Sequence, residues 1–320
     1  TVWQKKVRST YRMHLCMYLE QQENKTGEEK GMKKVLVTGC NGQLGRAIQH
    51  EYAKTVDFIL TDMVEGEGVL PLDISKIDEV MTMVKQQKPD VIINCAAYTN
   101  VDGCETNEDL AFCANAIGPR NLAIASAATG AKLIHISTDY VFEGNGMVPY
   151  TENDTPHPVS AYGRTKLAGE KFVQQFADRY FILRTAWLYG DGRNFVKTML
   201  KLAETHDEIS VVADQYGSPT SAVELAKMIH FLEPTDNYGI FHATCEGHTN
   251  WAEFTQTIFD YKKISTKVHP VTSEEYAKMN PAAANRPHYS ILENYMLKHT
   301  TNDFAMADWQ DALDVYLSEE

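Results

Sequence analysis

From Lys33 onward, short runs of consecutive apolar residues alternate with segments whose apolar positions recur every three or four residues. The pattern predicts strands over 33–38, 57–62, 69–73, 90–97, 131–138 and 180–187. Between them it predicts helices over 43–54, 75–87 and 108–129, and another that carries Tyr162 and Lys166. The strand runs are continuously apolar rather than alternating, which a strand needs when both faces are covered. Such strands, alternating with helices, give an α/β fold with a doubly wound parallel sheet. The stretch EGNGMVPYTENDTPHPVS (143–160) is rich in Gly, Pro and Asn and reads as a loop. Beyond Tyr189 the rhythm loosens: helices are predicted over 194–206, 221–232, 250–261 and 306–317, with short strands over 209–212 and 239–243. We therefore expect a larger domain over 32–188 and a smaller α/β domain over 189–320 that makes excursions back to the sheet. Residues 1–31 break the pattern and read as an appendage outside the fold, with a short helix near 11–22.

Composition narrows the class. Hydrophobic residues make up 43% and charged residues 23% of 320, with a net charge of -13. No long basic stripe is present, which argues against a nucleic-acid partner. No apolar run is long enough to span a bilayer, and residues 1–31 lack the apolar core of a secretory signal. The six cysteines form no CxxC pair, so a reducing, cytoplasmic protein without structural zinc is expected. The eleven histidines show no HExxH arrangement. No metal site is predicted.

Chemistry enters at the ends of the strands. The first strand runs into TGCNGQLG, with Gly39, Gly42 and Gly45. Glycines there permit a tight turn and close approach to a pyrophosphate, and the following helix start favours anions. Because this triplet lies between a strand and a helix in the first βαβ unit, residues 32–188 read as a Rossmann-like dinucleotide-binding domain and residues 189–320 as mainly substrate-binding. Asp62 ends the second strand, where a carboxylate can accept the adenine ribose hydroxyls and repel a 2′-phosphate. Asp73 and Ile74 follow the third strand, beside where an adenine would lie. Cys95-Ala96-Ala97 is small enough for a cofactor to pass. Ser137, Thr138 and Asp139 emerge at the carboxyl edge of the sheet. In AYGRTK, Tyr162 and Lys166 stand one helical turn apart. A free phenol has a pKa near ~10, and a nearby ammonium would stabilise its phenolate. Thr138, Tyr162 and Lys166 are therefore the candidate catalytic set: a hydroxyl to hold a carbonyl oxygen, a proton donor and a tuning cation.

TGxxGxxG, NCAA, STD and YxxxK, in that order, resemble the extended short-chain dehydrogenase/reductases. GCNGQLG, NCAAYTNVDGCE, HISTDYVFEGNG, YGRTKLAGE, RTAWLYG, DQYGSPT and NRPHYS narrow the resemblance to the branch that reduces dTDP-linked 4-keto-6-deoxyhexoses. It covers the chain from Met32 to about Leu317. The resemblance implies reduction of dTDP-4-dehydro-L-rhamnose to dTDP-L-rhamnose by NADH or NADPH, for cell-surface polysaccharide precursors. It implies Gly42, Gln43 and Leu44 on the cofactor pyrophosphate, and Asp62, Asp73 and Ile74 around the adenosine. Ala97, Tyr98 and Thr99 would stand beside the cofactor, and Lys166 at the nicotinamide ribose. Val101, Thr138, Asp139, Tyr162 and Trp187 would face the nucleotide-sugar, with Arg286 gripping its diphosphate. Some members dimerise through magnesium held by carboxylates, one near the first helix; Ala47 falls there, so a monomer or weak homodimer is expected. Alternatives are another nucleotide-sugar epimerase or dehydratase, and a non-catalytic cofactor-binding regulatory subunit. Tyr140, where a dehydratase would be expected to carry an acid, counts against the dehydratase.

Overall fold

The strands β1 (Lys34–Thr38), β2 (Asp57–Asp62), β3 (Val69–Pro71), β4 (Val91–Asn94), β5 (Lys132–Thr138), β6 (Tyr180–Thr185) and β7 (Gly239–His242) form one sheet in the order β7-β6-β5-β4-β1-β2-β3. Every pairing in it is parallel. The computed structural model describes residues 31–279 and 286–319, and the folded unit runs from Lys34 to Glu320. The helix expected near residues 11–22 lies outside the described residues. The helices are α1 (Gln43–Glu51), α2 (Ile77–Gln87), α3 (Val101–Thr106), α4 (Glu108–Phe112), α5 (Gly118–Thr129), α6 (Ala161–Phe176), α7 (Phe195–Ala203), α8 (Ala222–Leu232), α9 (Trp251–Lys262), α10 (Ser273–Met279), α11 (Tyr295–Thr300) and α12 (Trp309–Glu319).

The continuous apolar strands split their residues between two layers. Val35 and Val37 of β1, Ile93 of β4, and Phe181 and Leu183 of β6 share a core with Leu44 and Ile48 of α1 and Leu225 of α8. Leu36, Ile92, Leu133 and Ile182 point the other way, against Val80 and Val84 of α2, Leu122 of α5 and Val173 of α6. Each such side chain contributes roughly 1.5–3 kcal/mol by leaving water. With both faces covered, the open carboxyl edge is where the sheet can meet a ligand. The chain winds outward from β1 to β3 and returns to β4 on the other side of β1. That reversal opens a crevice between the loops after β1 and β4.

The structure departs from the sequence reading in several places. The strand expected over 90–97 stops at Asn94. Asn94 is locked by the Thr38 hydroxyl (2.7 Å) and by His135 Nδ1 (3.0 Å), and beyond it the chain leaves the ladder to run past Gly39. The helix expected over 108–129 contains a π turn at Cys113–Ile117, and α3 precedes it. Asn100 caps α3 by accepting the Gly103 N–H. Farther on, Lys267–Val271 pairs in parallel with Glu208–Val212, and α10 and α11 were not foreseen. Among the described residues, no helix is long and apolar enough to cross a membrane.

Candidate active site

A cavity of about 1080 Å³ lies along the carboxyl edge of the sheet. Its first wall is the glycine turn after β1. Gly39 adopts φ +64°, and a Cβ there would stand 2.8 Å from the Ala96 nitrogen. A Cβ on Gly45 would stand 2.5 Å from the Gly39 carbonyl oxygen. Both positions thus require glycine, one for its backbone and one for close packing. Gly42 meets only the Gly39 carbonyl and lines the cavity with Gln43 and Leu44. No side chain caps the start of α1, which leaves the backbone N–H groups of its first turn for an anionic ligand. The turn therefore fits the pyrophosphate of a dinucleotide.

Asp62 closes the far side of this turn. Its Oδ2 accepts the Asn41 N–H at 3.1 Å and its Oδ1 the Met63 N–H at 2.8 Å. The Asp73 Oδ1 accepts from both the backbone N–H and the hydroxyl of Ser75, and Ile74 is buried beside it. Ala97, Tyr98, Thr99 and Val101 line the next stretch. The Tyr98 backbone is pinned by Asn115, which accepts its N–H at 2.8 Å and donates to its carbonyl at 3.1 Å. The same Asn115 amide reaches the Thr165 hydroxyl on α6. Asn115 sits in the π turn, a local rewinding common at functional sites. Sequence reasoning missed this residue; the available signal was an Asn flanked by alanines inside an Ala-rich helical run.

The reactive end lies between β5 and α6. Ser160 caps α6 through the Gly163 N–H. A Cβ on Gly163 would stand 2.1 Å from the Tyr140 carbonyl oxygen, so the helix start packs directly on the segment after β5. Thr138, Asp139, Tyr162 and Lys166 thereby line one part of the cavity. The Thr138 hydroxyl donates to the Asp139 carboxylate at 2.9 Å and is hydrogen-bonded to Tyr162. Burial pushes the Asp139 carboxyl up to about 6, against the opposing hydrogen bonds of Ser290 and Thr138. Burial, reinforced by the Asp139 charge, raises the Tyr162 phenol above its ordinary value. Lys166 is pushed down to about 8 by burial, with Glu170 acting the other way. Its ammonium donates to the Ile136 carbonyl at 2.5 Å. The pair shares one helix face as expected, but the lysine is held by the backbone of β5 rather than by the phenol.

Trp187 also lines the cavity. It follows β6 with φ +48°, a left-handed backbone, and stacks on Trp251 at 3.4 Å. Gly217 of DQYGSPT leaves room for it: a Cβ there would stand 2.5 Å from the indole. Arg286 is the one predicted site residue that does not line the cavity. Its Nη2 pairs with Asp102 at 3.1 Å, and it is hydrogen-bonded to Tyr140, whose ring packs edge-on against Tyr162 at 5.4 Å. The segment after it is tied to the loop beyond β5, with Tyr289 donating to the Gly144 carbonyl and Tyr150 to that of Ile291.

A parallel sheet with a glycine turn at its first crossover, a hydroxyl at the end of β5 and a Tyr/Lys pair one helical turn apart is the architecture of a short-chain dehydrogenase/reductase. The chain belongs to the RmlD substrate binding domain family, whose model matches residues 32–320. It is similar to the solved structure of a dTDP-4-dehydrorhamnose reductase from Clostridium acetobutylicum, with 49% identity, a TM-score of 0.84, and coverage of 89% of this chain and 99% of that one. A dTDP-4-dehydrorhamnose reductase from Bacillus anthracis, solved in complex with NADP, is 43% identical with a TM-score of 0.84, covering 91% of this chain and 100% of that one. The dTDP-4-dehydrorhamnose reductase of Sinorhizobium fredii is 38% identical, covering 87% of this chain and 95% of that protein.

Proposed function

We propose that this chain reduces dTDP-4-dehydro-L-rhamnose to dTDP-L-rhamnose with NADPH or NADH. The observation that carries the reading is the single cavity that joins the uncapped glycine turn to Thr138, Tyr162 and Lys166, in a chain similar to reductases of that substrate over most of its length.

The nicotinamide cofactor, when bound, supplies the hydride for the sugar C4 carbonyl. The residues of the chain hold and protonate the oxygen. Thr138 holds the carbonyl oxygen by a hydrogen bond, and Tyr162 delivers the proton as charge develops there. A phenol kept neutral by burial has its proton available at neutral pH, and an alkoxide is the stronger base. Lys166 stabilises the phenolate that remains and holds the nicotinamide ribose. Asp62, Asp73 and Ile74 hold the adenosine end, with Gly39, Gly42, Gln43, Leu44 and Gly45 at the pyrophosphate. Ala97, Tyr98 and Thr99 flank the cofactor, and Val101, Asp139 and Trp187 face the sugar nucleotide.

The test is incubation of the chain with dTDP-4-dehydro-L-rhamnose and each reduced cofactor. Nicotinamide absorbance reports oxidation, and NMR identifies the sugar. Stoichiometric formation of dTDP-L-rhamnose is expected. A chain that binds NADPH but leaves the keto sugar unreduced would be a cofactor-binding regulator instead.

A further inference from the structure

Neither Lys166 nor Arg286 is placed on a nucleotide diphosphate. Lys166 donates to the Ile136 carbonyl and stands at the reactive end of the cavity, beside Thr138 and Tyr162. Arg286 lies outside the cavity wall and pairs with Asp102. Arg193 does line the cavity. Among the described residues, its side chain has no ion pair and no hydrogen bond.

The loop that carries Arg193 is built rather than slack. Asn194 is buried and donates to the Gly190 carbonyl at 2.6 Å, the Gly192 carbonyl at 3.3 Å and the Tyr316 hydroxyl at 3.0 Å. Its own Oδ1 accepts the Lys197 N–H and so starts α7. Gly192 adopts φ +108°, a conformation that a side chain would strain. The loop lies against the glycine turn: a Cβ on Gly190 would stand 3.6 Å from the Gln43 Cβ, and one on Gly192 3.9 Å from its Cγ. The neighbouring acid, Asp191, pairs instead with Arg46 at 3.8 Å and Lys197 at 3.9 Å. In a chain of net charge -13, an exposed arginine that lines the cavity and has no partner among the described residues loses side-chain freedom once it is ordered. A ligand anion offsets that cost.

We infer that Arg193 is a diphosphate-binding residue of this cavity, gripping a nucleotide ligand where the Gly190–Asn194 loop meets the glycine turn. The proposal rests on the reductase reading for the identity of its ligands: the diphosphate belongs to the dinucleotide or to the dTDP-sugar. A planar guanidinium suits two oxygens of such a group.

The test compares wild type with Arg193→Gln and Arg193→Lys in the full chain. NADPH affinity is read by fluorescence titration, and dTDP affinity by calorimetry without turnover. Arg193→Gln is expected to weaken one of these by about tenfold, the range of a charge-assisted hydrogen bond at a partly exposed site. Arg193→Lys should recover part of the loss, and the salt dependence of the affected affinity should flatten in Arg193→Gln. A loss confined to NADPH assigns the cofactor pyrophosphate, and a loss confined to dTDP assigns the sugar nucleotide. Unchanged affinity for both overturns the proposal. Because both arms measure binding, a wild type that binds these nucleotides but reduces no keto sugar would refute the reductase reading and leave the role of Arg193 decided separately.

Discussion

At the scale of single residues, the reactive set is governed by burial. Tyr162 must give up a proton, Lys166 must keep one, and Asp139 sits between water-like and buried behaviour with its carboxyl at about 6. Tyr162→Phe removes the proton donor and almost no volume. Turnover should fall about 10²–10⁴-fold with cofactor affinity nearly unchanged, and equal rates for the two proteins would remove Tyr162 from the mechanism. Lys166 carries its own pH signature. Its folded value, pushed down to about 8, means that the ammonium is present below that pH and lost as pH rises through it. Rates that depend on the cation should therefore decline above pH 8, whereas a profile flat to the ordinary lysine range would show that the charge is not used. The spacing of Tyr162 and Lys166 on a helix made their shared face legible in the sequence, as did the hydroxyl of Thr138 at a strand end. Two details were not legible, because distant segments decide them. Lys166 finds its acceptor on β5, and Arg286 finds Asp102, 184 positions away.

Between elements, one buried ion pair ties α6 to the sheet. Arg184 of β6 donates to Glu170 of α6 through Nε at 2.9 Å and Nη2 at 2.8 Å, and Ser137 of β5 donates to the same carboxylate at 2.5 Å. Both charged side chains are almost fully buried, at 2% and 0% exposed. Removing one partner strands the other in a dry site, so Glu170→Gln should cost about 3–5 kcal/mol in a urea titration. Replacing both by apolar residues of similar size should cost much less. A loss below about 1 kcal/mol for Glu170→Gln would mean that Arg184 reaches water or another acceptor. This network follows from the Tyr162 helix continuing along one face to Glu170, a residue for which the sequence alone indicated no buried partner. Helical period alone does not say which polar residue faces a neighbour. The same limit applies to the π turn at Cys113–Ile117, where Asn115 accepts from the Tyr98 N–H and donates to the Tyr98 carbonyl and the Thr165 hydroxyl. The parallel sheet itself was legible because continuous apolar runs have few other solutions.

For the whole molecule, the cavity spans residues from both parts of the chain. The glycine turn, Asp62 and Thr138 come from before Tyr189, whereas Arg193, Asn194 and Trp251 come from after it. We propose that residues 32–188 carry the cofactor and residues 189–320 mainly the sugar side, with β7 returning to the sheet beside β6. A ligand that bridges these parts stabilises only the folded chain. At about 100 times its dissociation constant it adds about 2.7 kcal/mol. For a chain of this size that corresponds to a rise of roughly 4 °C in melting temperature. Calorimetry with and without NADPH reads this directly. If the two parts fold as one cooperative unit, a single transition should move as a whole. Two transitions, of which NADPH shifts only one, would show that the parts melt independently and that the cofactor is held by one of them alone. No shift at saturating NADPH would contradict cofactor binding at the glycine turn.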